Sequence, residues 1–285
     1  MTTKPSRRLA AAVSVLALGL AGAMSACGSS GGSDAADKAD VTTTSELQDA
    51  PLTVLVTNDD GYQAAGIDAL VRGLRKQPAL KVVVYAPMKQ QSGTGGKTTD
   101  GKVEVKDLKL NSGIPVKAVD GYPADTIRVA MDEDGVKPDL VITGINLGQN
   151  IGPLVDLSGT VGAARAAVAR GVPALATSSG VPSFDVDAAV PFVIDWFVNH
   201  RAEIAARNLA VEVQNLNVPS CEKGKVRGLL DVEVGIDEEA GTALQSQDCT
   251  SKAPQASLTD DVKAFNAGFA TLSTLSSKPY QPNKG

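Results

Sequence analysis

The chain has 285 residues, of which 43% are hydrophobic, 21% charged and 4% aromatic, and this composition excludes a fully disordered, collagen-like or disulfide-scaffold protein. Its formal net charge of −5 argues against a nucleic acid polymer as a partner, because such partners are held through their phosphates by basic surfaces. A single His and three Cys exclude both a multi-His and a four-thiolate zinc site.

The first 26 residues have the anatomy of a cleaved secretory signal peptide. Three basic and no acidic residues stand in this segment, and its apolar stretch at residues 9–23 is shorter than the ~20 residues that span a membrane. Residues 24–27 resemble a bacterial lipobox, which predicts that Cys27 carries a lipid. The alternative is an ordinary signal peptide followed by an incidental cysteine.

Residues 27–50 are predicted to be the lipidated Cys and a flexible tether, because Gly, Ser, Asp and Thr are frequent there and no aromatic residue occurs. The folded domain is then expected over residues 51–285. We predict an extracytoplasmic protein that is attached to the cell membrane by its N-terminal lipid alone.

The predicted export changes how the two remaining cysteines are interpreted. Cys221 and Cys249 lie in the C-terminal part of a chain that is predicted to leave the reducing cytosol. We therefore predict that they form a disulfide, and two buried free thiols are the alternative.

Strand and helix patterns alternate along the folded domain. Apolar and β-branched runs predict strands over residues 52–57, 81–86, 103–110, 114–119, 139–143 and 174–177, and helices are predicted over 64–76, 124–132, 161–170 and 187–206. This alternation predicts a doubly wound, Rossmann-like, mostly parallel α/β sheet. From about residue 208 the pattern turns to β, and we expect a C-terminal β-hairpin extension.

Polar residues follow the first predicted strand at the point where it ends. Asn58, Asp59 and Asp60 come directly after the apolar run, and Gly61 follows them. Adjacent carboxylates suit a hard divalent cation with oxygen ligands. The alternative is a plain turn, because Asn, Asp and Gly are all common turn residues.

Two further loops carry similar chemistry. Residues 92–96 combine two hydroxyls with three glycines, and residues 143–160 form a Gly-rich segment that ends where a helix is capped by Ser158 or Thr160. A flexible surface loop and a Gly-rich crossover are the respective alternatives. Because the carboxyl ends of parallel strands share one edge of a sheet, the three loops are expected to converge on one cation and one phosphate group.

The same segments resemble, in order along the chain, the motifs of the SurE family, metal-dependent acid phosphatases that act on nucleoside monophosphates. The resemblance is strongest over residues 52–180 and extends more loosely to residues 216–219 and 259–260. Its motifs lie at residues 56–62, 86–93, 120–126, 138–150 and 158–161.

The resemblance implies one divalent metal ion, Mg²⁺ or Mn²⁺, whose ligands are Asp59, Asp60, Ser92 and Asn146. It also implies a phosphate or substrate site that consists of Asn58, Gly93, Asn150, Ser158, Gly159 and Thr160. Asp59 and Asp60 are in addition the candidate catalytic residues, because a carboxylate can accept a proton from the attacking water.

The implied function is metal-dependent hydrolysis of a phosphomonoester, most of all a nucleoside monophosphate, to nucleoside and phosphate on the outer face of the cell membrane. The alternative is a lipoprotein that binds nucleotide or phosphate without hydrolysis, and the complete set of metal ligands favours the enzyme. The resemblance also implies a homodimer or tetramer.

Overall fold

The computed structural model describes residues 44–279 of the chain. The predicted signal peptide, Cys27 and the predicted tether up to residue 43 lie outside these residues, as does the chain from residue 280 onward. Within residues 44–279, no helix is both long enough and apolar enough to cross a membrane.

The described residues form nine strands, seven α-helices and three short 3₁₀ or π segments. The strands are β1 Leu52–Thr57, β2 Leu80–Pro87, β3 Val105–Lys109, β4 Pro115–Val119, β5 Leu140–Leu147, β6 Ala174–Ser179, β7 Val213–Val218, β8 Leu229–Asp231 and β9 Ala270–Leu275. The α-helices are α1 Thr44–Asp49, α2 Ala65–Leu74, α3 Pro123–Arg128, α4 Gly159–Val168, α5 Val186–Ala205, α6 Ala240–Ala243 and α7 Asp261–Asn266. The short segments are Val129–Glu133, Gly152–Leu157 and Gln255–Ser257.

The nine strands form one sheet in the order β3-β4-β2-β1-β5-β6-β7-β9-β8. The six strands from β4 to β7 in this order run parallel, whereas β3 is antiparallel to β4 and β9 is antiparallel to β7. The predicted doubly wound, mostly parallel α/β sheet is confirmed. The chain leaves β1 toward β2 on one side and later returns to β5 on the other, so the strand order reverses between β1 and β5. Such a switch point is where ligands bind in sheets of this class.

Helices cover both faces of the sheet, and alternate side chains of β1 pack toward opposite faces. Val54 and Val56 belong to the core beneath α2 and α5, whereas Leu55 packs with the residues of α3 and α4. Val54, Leu55 and Val56 are all completely buried, which explains why these three consecutive residues of β1 are apolar.

The fifth strand is longer than predicted. A loop was expected after Thr143, but β5 continues to Leu147 because pairing with β6 resumes after an irregularity, with Asn146 opposite Ser178. Asn146 therefore lies on a strand and not in a loop, and its position is determined by the sheet.

The expected flexible tether also ends earlier than predicted, because residues 44–49 form α1. The buried guanidinium of Arg201 on α5 donates hydrogen bonds to the backbone oxygens of Gln48 and, at 2.9 Å, of Ala50. These bonds join α1 to residues about 150 positions away, which the local composition does not reveal.

The C-terminal part does not contain the expected β-hairpin within the described residues. β8 and β9 are separated by residues 232–269, pair in parallel, and complete the edge of the main sheet. Residues 219–269 include the predicted disulfide, which Cys221 and Cys249 form with their Cα atoms 5.7 Å apart.

Candidate active site

The acidic pair lies in the turn after β1. Asn58 is buried, and its side-chain nitrogen donates to the backbone oxygen of Gly61 at 2.9 Å. Gly61 has φ +96°, a conformation that glycine adopts without steric cost. The Asn58 side chain therefore closes this turn and orients Asp59 and Asp60.

Asp59 joins the first loop to the third. The hydroxyl of Thr160 donates to Oδ1 of Asp59 at 2.5 Å, although 101 positions separate the two residues. A Cβ atom on Gly159 would lie 2.8 Å from the Cβ atom of Asp59 and 3.0 Å from its Oδ2. Asp59 thus packs directly on the first turn of α4, which Ser158 caps by accepting from the Val161 N–H at 3.1 Å.

Asp60 is joined to the end of β5. Its Oδ2 accepts from the backbone N–H of Leu147 at 3.0 Å. The neighbouring Asn146 is buried, and its side-chain nitrogen donates to the backbone oxygen of Gly148 at 2.6 Å. Among the described residues, no group bonds the buried Oδ1 of Asn146. That oxygen is free to act as a ligand.

The second loop lies beside the first but contributes less contact than predicted. The backbone N–H of Gln91 donates to the backbone oxygen of Asp59 at 2.6 Å, which places Ser92 next to the acidic turn. The Ser92 side chain is exposed and accepts from the Gln90 side chain at 2.6 Å, and Gly93 is exposed as well. The structure therefore brings the Ser92 backbone to the site while its hydroxyl bonds within its own loop.

Burial raises the pKa of both carboxyl groups. For Asp59 desolvation is the main cause, and the Thr160 hydroxyl and the backbone N–H groups of Gly159 and Thr160 act in the opposite direction. Desolvation and the adjacent Asp59 raise the pKa of Asp60 to about 6, and the N–H of Leu147 opposes this shift. Among the described residues, no Lys or Arg contributes to the pKa of either carboxyl group, so the charge of the pair has no protein cation to offset it there.

The oxygen atoms of this site fit a hard divalent cation. Burial raises the pKa of two adjacent carboxyl groups, and the buried Oδ1 of Asn146 has no hydrogen-bond partner within residues 44–279, so a cation would satisfy all three groups. Within residues 44–279, no three His, Cys, Asp or Glu side chains are grouped so that they could hold a metal ion. Neutral oxygens, from Asn146 and Ser92, would therefore have to complete the ligand set. Such a set suits Mg²⁺ and Mn²⁺ alike.

The structure places Asn150 beyond the end of β5, in contact with β6 and β7. Its side-chain nitrogen donates to the hydroxyl of Ser178 at 3.0 Å, and its backbone N–H donates to Oδ1 of Asn217 at 2.7 Å. A carboxamide nitrogen carries two hydrogens, so one remains for a substrate oxygen.

Several residues that support this region were not predicted from the sequence; they are Gln149, Ser178, Asn215, Asn217 and Asp261. The sequence carries one signal for them: residues 213–218 read Val-Gln-Asn-Leu-Asn-Val, with two asparagines two positions apart, each followed by an apolar residue. In the structure both asparagines are completely buried. Buried asparagine is uncommon without a hydrogen-bonding role.

Comparison with known proteins agrees with this geometry. The family model described as "Survival protein SurE" matches residues 54–238. The 5'-nucleotidase SurE of Thermosipho africanus is 37% identical over 182 residues, which cover 62% of this chain and 69% of that protein. The 5'-nucleotidase SurE of Carboxydothermus hydrogenoformans is 35% identical over 197 residues, covering 65% of this chain and 71% of that protein.

A solved structure shows the same fold. The crystal structure of the SurE protein from Aquifex aeolicus aligns with a TM-score of 0.62 over 79% of this chain and 94% of that chain, at 24% sequence identity. Fold and geometry together define a doubly wound α/β protein with two adjacent carboxyl groups at the switch point of its sheet. The chain belongs to the SurE family, as the motif order predicted.

Proposed function

We propose that this protein is a divalent-metal-dependent 5'-nucleotidase that converts nucleoside monophosphates to nucleoside and inorganic phosphate. The observation that carries the proposal is the position of the acidic pair. Asp59 contacts the first turn of α4 and Asp60 contacts the end of β5, so two adjacent carboxylates occupy the switch point of the sheet. The curated relatives named 5'-nucleotidase SurE support the reaction.

Asp59, Asp60, Ser92 and Asn146 are the residues that would hold the metal. When bound, Mg²⁺ or Mn²⁺ supplies positive charge beside the transferring phosphoryl group and its nucleophile. The ligands differ in rigidity: Asp59 and Asn146 are buried and hydrogen-bonded, whereas Ser92 lies on an exposed loop. We infer that Ser92 completes the site when its hydroxyl leaves Gln90.

Two further roles belong to residues of this chain. Asp60 is more open to solvent than Asp59, and its raised pKa suits a carboxylate that accepts a proton from the attacking water. The free hydrogen of the Asn150 carboxamide would bind a phosphate oxygen. Gly159 and Thr160 hold Asp59 in place, and the N-terminus of α4 adds positive partial charge on the same side of the site.

The direct test is phosphate release from AMP, GMP and a chromogenic phosphomonoester, with Mg²⁺, with Mn²⁺ and with a chelator. We expect release that depends on the metal. Asp59→Asn keeps the shape of the side chain but removes its charge, and we expect kcat/KM to fall at least ~1,000-fold. Asp237→Asn is the control, because Asp237 is exposed and lies outside the site.

Two results would contradict the proposal. Unchanged turnover by Asp59→Asn would remove Asp59 from the metal site. Tight nucleotide binding without any metal-dependent phosphate release would instead favour a nucleotide- or phosphate-binding protein.

We further propose that the protein is exported and anchored to the membrane by a lipid on Cys27. The disulfide between Cys221 and Cys249 supports an oxidising compartment. Cys27→Ala should move the protein from the membrane fraction to the soluble fraction outside the cytoplasm. Recovery of both forms in the cytoplasm would overturn this part of the proposal.

We also propose a homodimer or tetramer. Leu157 and Leu244 are large apolar side chains with exposed fractions of 60% and 56%, and a subunit interface would cover such residues. Native mass spectrometry of the purified protein measures the assembly directly, and a monomer at all concentrations would contradict this expectation.

A further inference from the structure

Residues from the C-terminal part of the chain hold the segment after β5. We call residues 148–152 the Asn150 loop. The Gln149 side chain donates to the backbone oxygen of Ala243 at 2.9 Å, and the N–H of Gly152 donates to the carboxylate of Asp261 at 3.1 Å. The Asn150 loop is therefore attached to residues that come about 90 to 110 positions later in the chain.

Asn217 makes the most specific of these attachments. Its Oδ1 accepts from the backbone N–H of Asn150 at 2.7 Å, and its Nδ2 donates to the backbone oxygen of the same residue at 3.3 Å. Asn215 donates to that oxygen as well, at 2.8 Å. One buried carboxamide thus binds both main-chain polar groups of Asn150 and leaves that residue a single orientation.

The register of the sheet connects Asn217 to the metal site. Asn146 lies opposite Ser178, and Ser178 lies opposite Asn217, on the adjacent strands β5, β6 and β7. Paired residues of parallel strands direct their side chains to the same face. The Asn150 side chain bonds Ser178, the middle member of this row. Asn217 therefore determines where the Asn150 carboxamide lies relative to Asn146.

We propose that Asn217 is a positioning residue: it orients Asn150 so that the free hydrogen of the Asn150 carboxamide meets the phosphate of the substrate. The proposal rests on the proposed function, in which Asn150 contacts that phosphate. Asn217 itself is completely buried and acts only through Asn150.

The test compares Asn217→Leu with Thr271→Val. Leu has nearly the shape of Asn but neither donates nor accepts, so Asn150 loses its orientation. Thr271 is the matched control, because it is buried, lies opposite Asn217 on β9, and its hydroxyl has no hydrogen-bond partner among the described residues. We expect Asn217→Leu to lower kcat/KM and to raise the inhibition constant of inorganic phosphate, each by about 10- to 100-fold. Thr271→Val should change neither by more than about threefold.

A background variant separates positioning from general stability. In an Asn150→Ala protein, the additional Asn217→Leu change should leave the inhibition constant of phosphate unaltered, because the group that Asn217 orients is absent. Equal losses in both backgrounds, or equal losses in Thr271→Val, would overturn the proposal. If Asn217→Leu does not fold, Asn217→Asp takes its place, because it retains the acceptor for the Asn150 N–H. This variant should raise the inhibition constant of phosphate by less than the 10- to 100-fold expected for Asn217→Leu. No rise in Asn217→Asp would count against the proposal.

Hydrogen exchange gives a result that does not depend on turnover. Asn217→Leu should speed amide exchange in residues 148–152 at least tenfold, whereas Thr271→Val should not. If the wild-type protein releases no phosphate, the proposed function fails, yet faster exchange would still support the role of Asn217 in holding the loop. Unchanged exchange would overturn that role whatever the activity.

Discussion

The turn after β1 and the Asn150 loop both contribute to the proposed site, but they are held in different ways. Asn58 and Gly61 close the turn through a bond between residues three positions apart. The Asn150 loop depends on Asn217 and Asp261, which lie 67 and 109 positions away from the groups that they bind. The closure of the turn is therefore local in sequence, whereas the Asn150 loop takes its place only when the sheet has formed.

This difference predicts how the two regions respond to change. Substitutions at the turn should alter activity with little effect on folding, because the turn is closed by its own residues. Substitutions in the C-terminal part should first alter stability, and activity should follow through the Asn150 loop.

The largest effect on stability is expected from removal of the disulfide that anchors the C-terminal part. Cys221 and Cys249 are 28 positions apart, and closing a loop of this size stabilises a protein by about 3–4 kcal/mol in the chain-entropy model. The double variant Cys221→Ser/Cys249→Ser should lose that amount in urea unfolding. A loss below about 1 kcal/mol would show that this loop is already held without the covalent bond.

Gly159→Ala tests how far activity depends on the position of the acidic pair in the turn after β1. A Cβ atom at this position would lie 2.8 Å from that of Asp59, so the acidic pair must move. We expect kcat/KM to fall by about 100-fold, or ~2.7 kcal/mol, with little change in the melting temperature. Gly96→Ala is the matched control, because a Cβ atom there meets nothing within 4 Å. Equal activity of the two variants would show that Asp59 tolerates displacement.

The pH dependence of stability tests how Asp261 supports the Asn150 loop. Burial, more than the neighbouring Asp260, raises the pKa of Asp261 from 3.8 to about 6. Between these values the folded protein binds a proton that the unfolded chain has released, so wild-type stability falls as pH rises from about 4 to 6. Asp261→Asn cannot titrate, and its stability relative to wild type should rise over this interval by on the order of 2 kcal/mol.

Urea unfolding of both proteins from pH 4 to pH 7 measures this difference. Asp237→Asn serves as the control, since Asp237 is exposed and its unfolding curve should parallel that of wild type. A pH-independent difference between Asp261→Asn and wild type would contradict the prediction.

The smallest effect is expected at Thr160. Its hydroxyl donates to Asp59, so Thr160→Val should lower kcat/KM by about tenfold, or ~1.4 kcal/mol. Thr160→Ser retains the hydroxyl and should stay within about threefold of wild type. Equal activity of the Val and Ser variants would show that the hydroxyl does not orient the carboxylate.

Much of the fold followed from the sequence because local patterns determine it. The apolar run of β1, the helical spacing of α2 and the alternation of strands and helices predicted a doubly wound sheet, which the structure confirms. The errors occurred where distant contacts decide the outcome. β5 continues past Thr143 because β6 pairs with it again, and residues 44–49 at the end of the predicted tether form α1, which Arg201 binds.

The site divides in the same way. Asp59 and Asp60 were predicted as ligands because they lie in a motif that resembles the SurE family, and adjacent carboxylates after a buried strand suit a divalent cation. Asn215 and Asn217 look like ordinary members of a strand, and only the sheet shows that they bind Asn150. The sequence by itself determined which groups could bind a cation and a phosphate. The tertiary structure decided which of them meet and what holds them there, since a hydrogen bond depends on distance in space and not on separation along the chain.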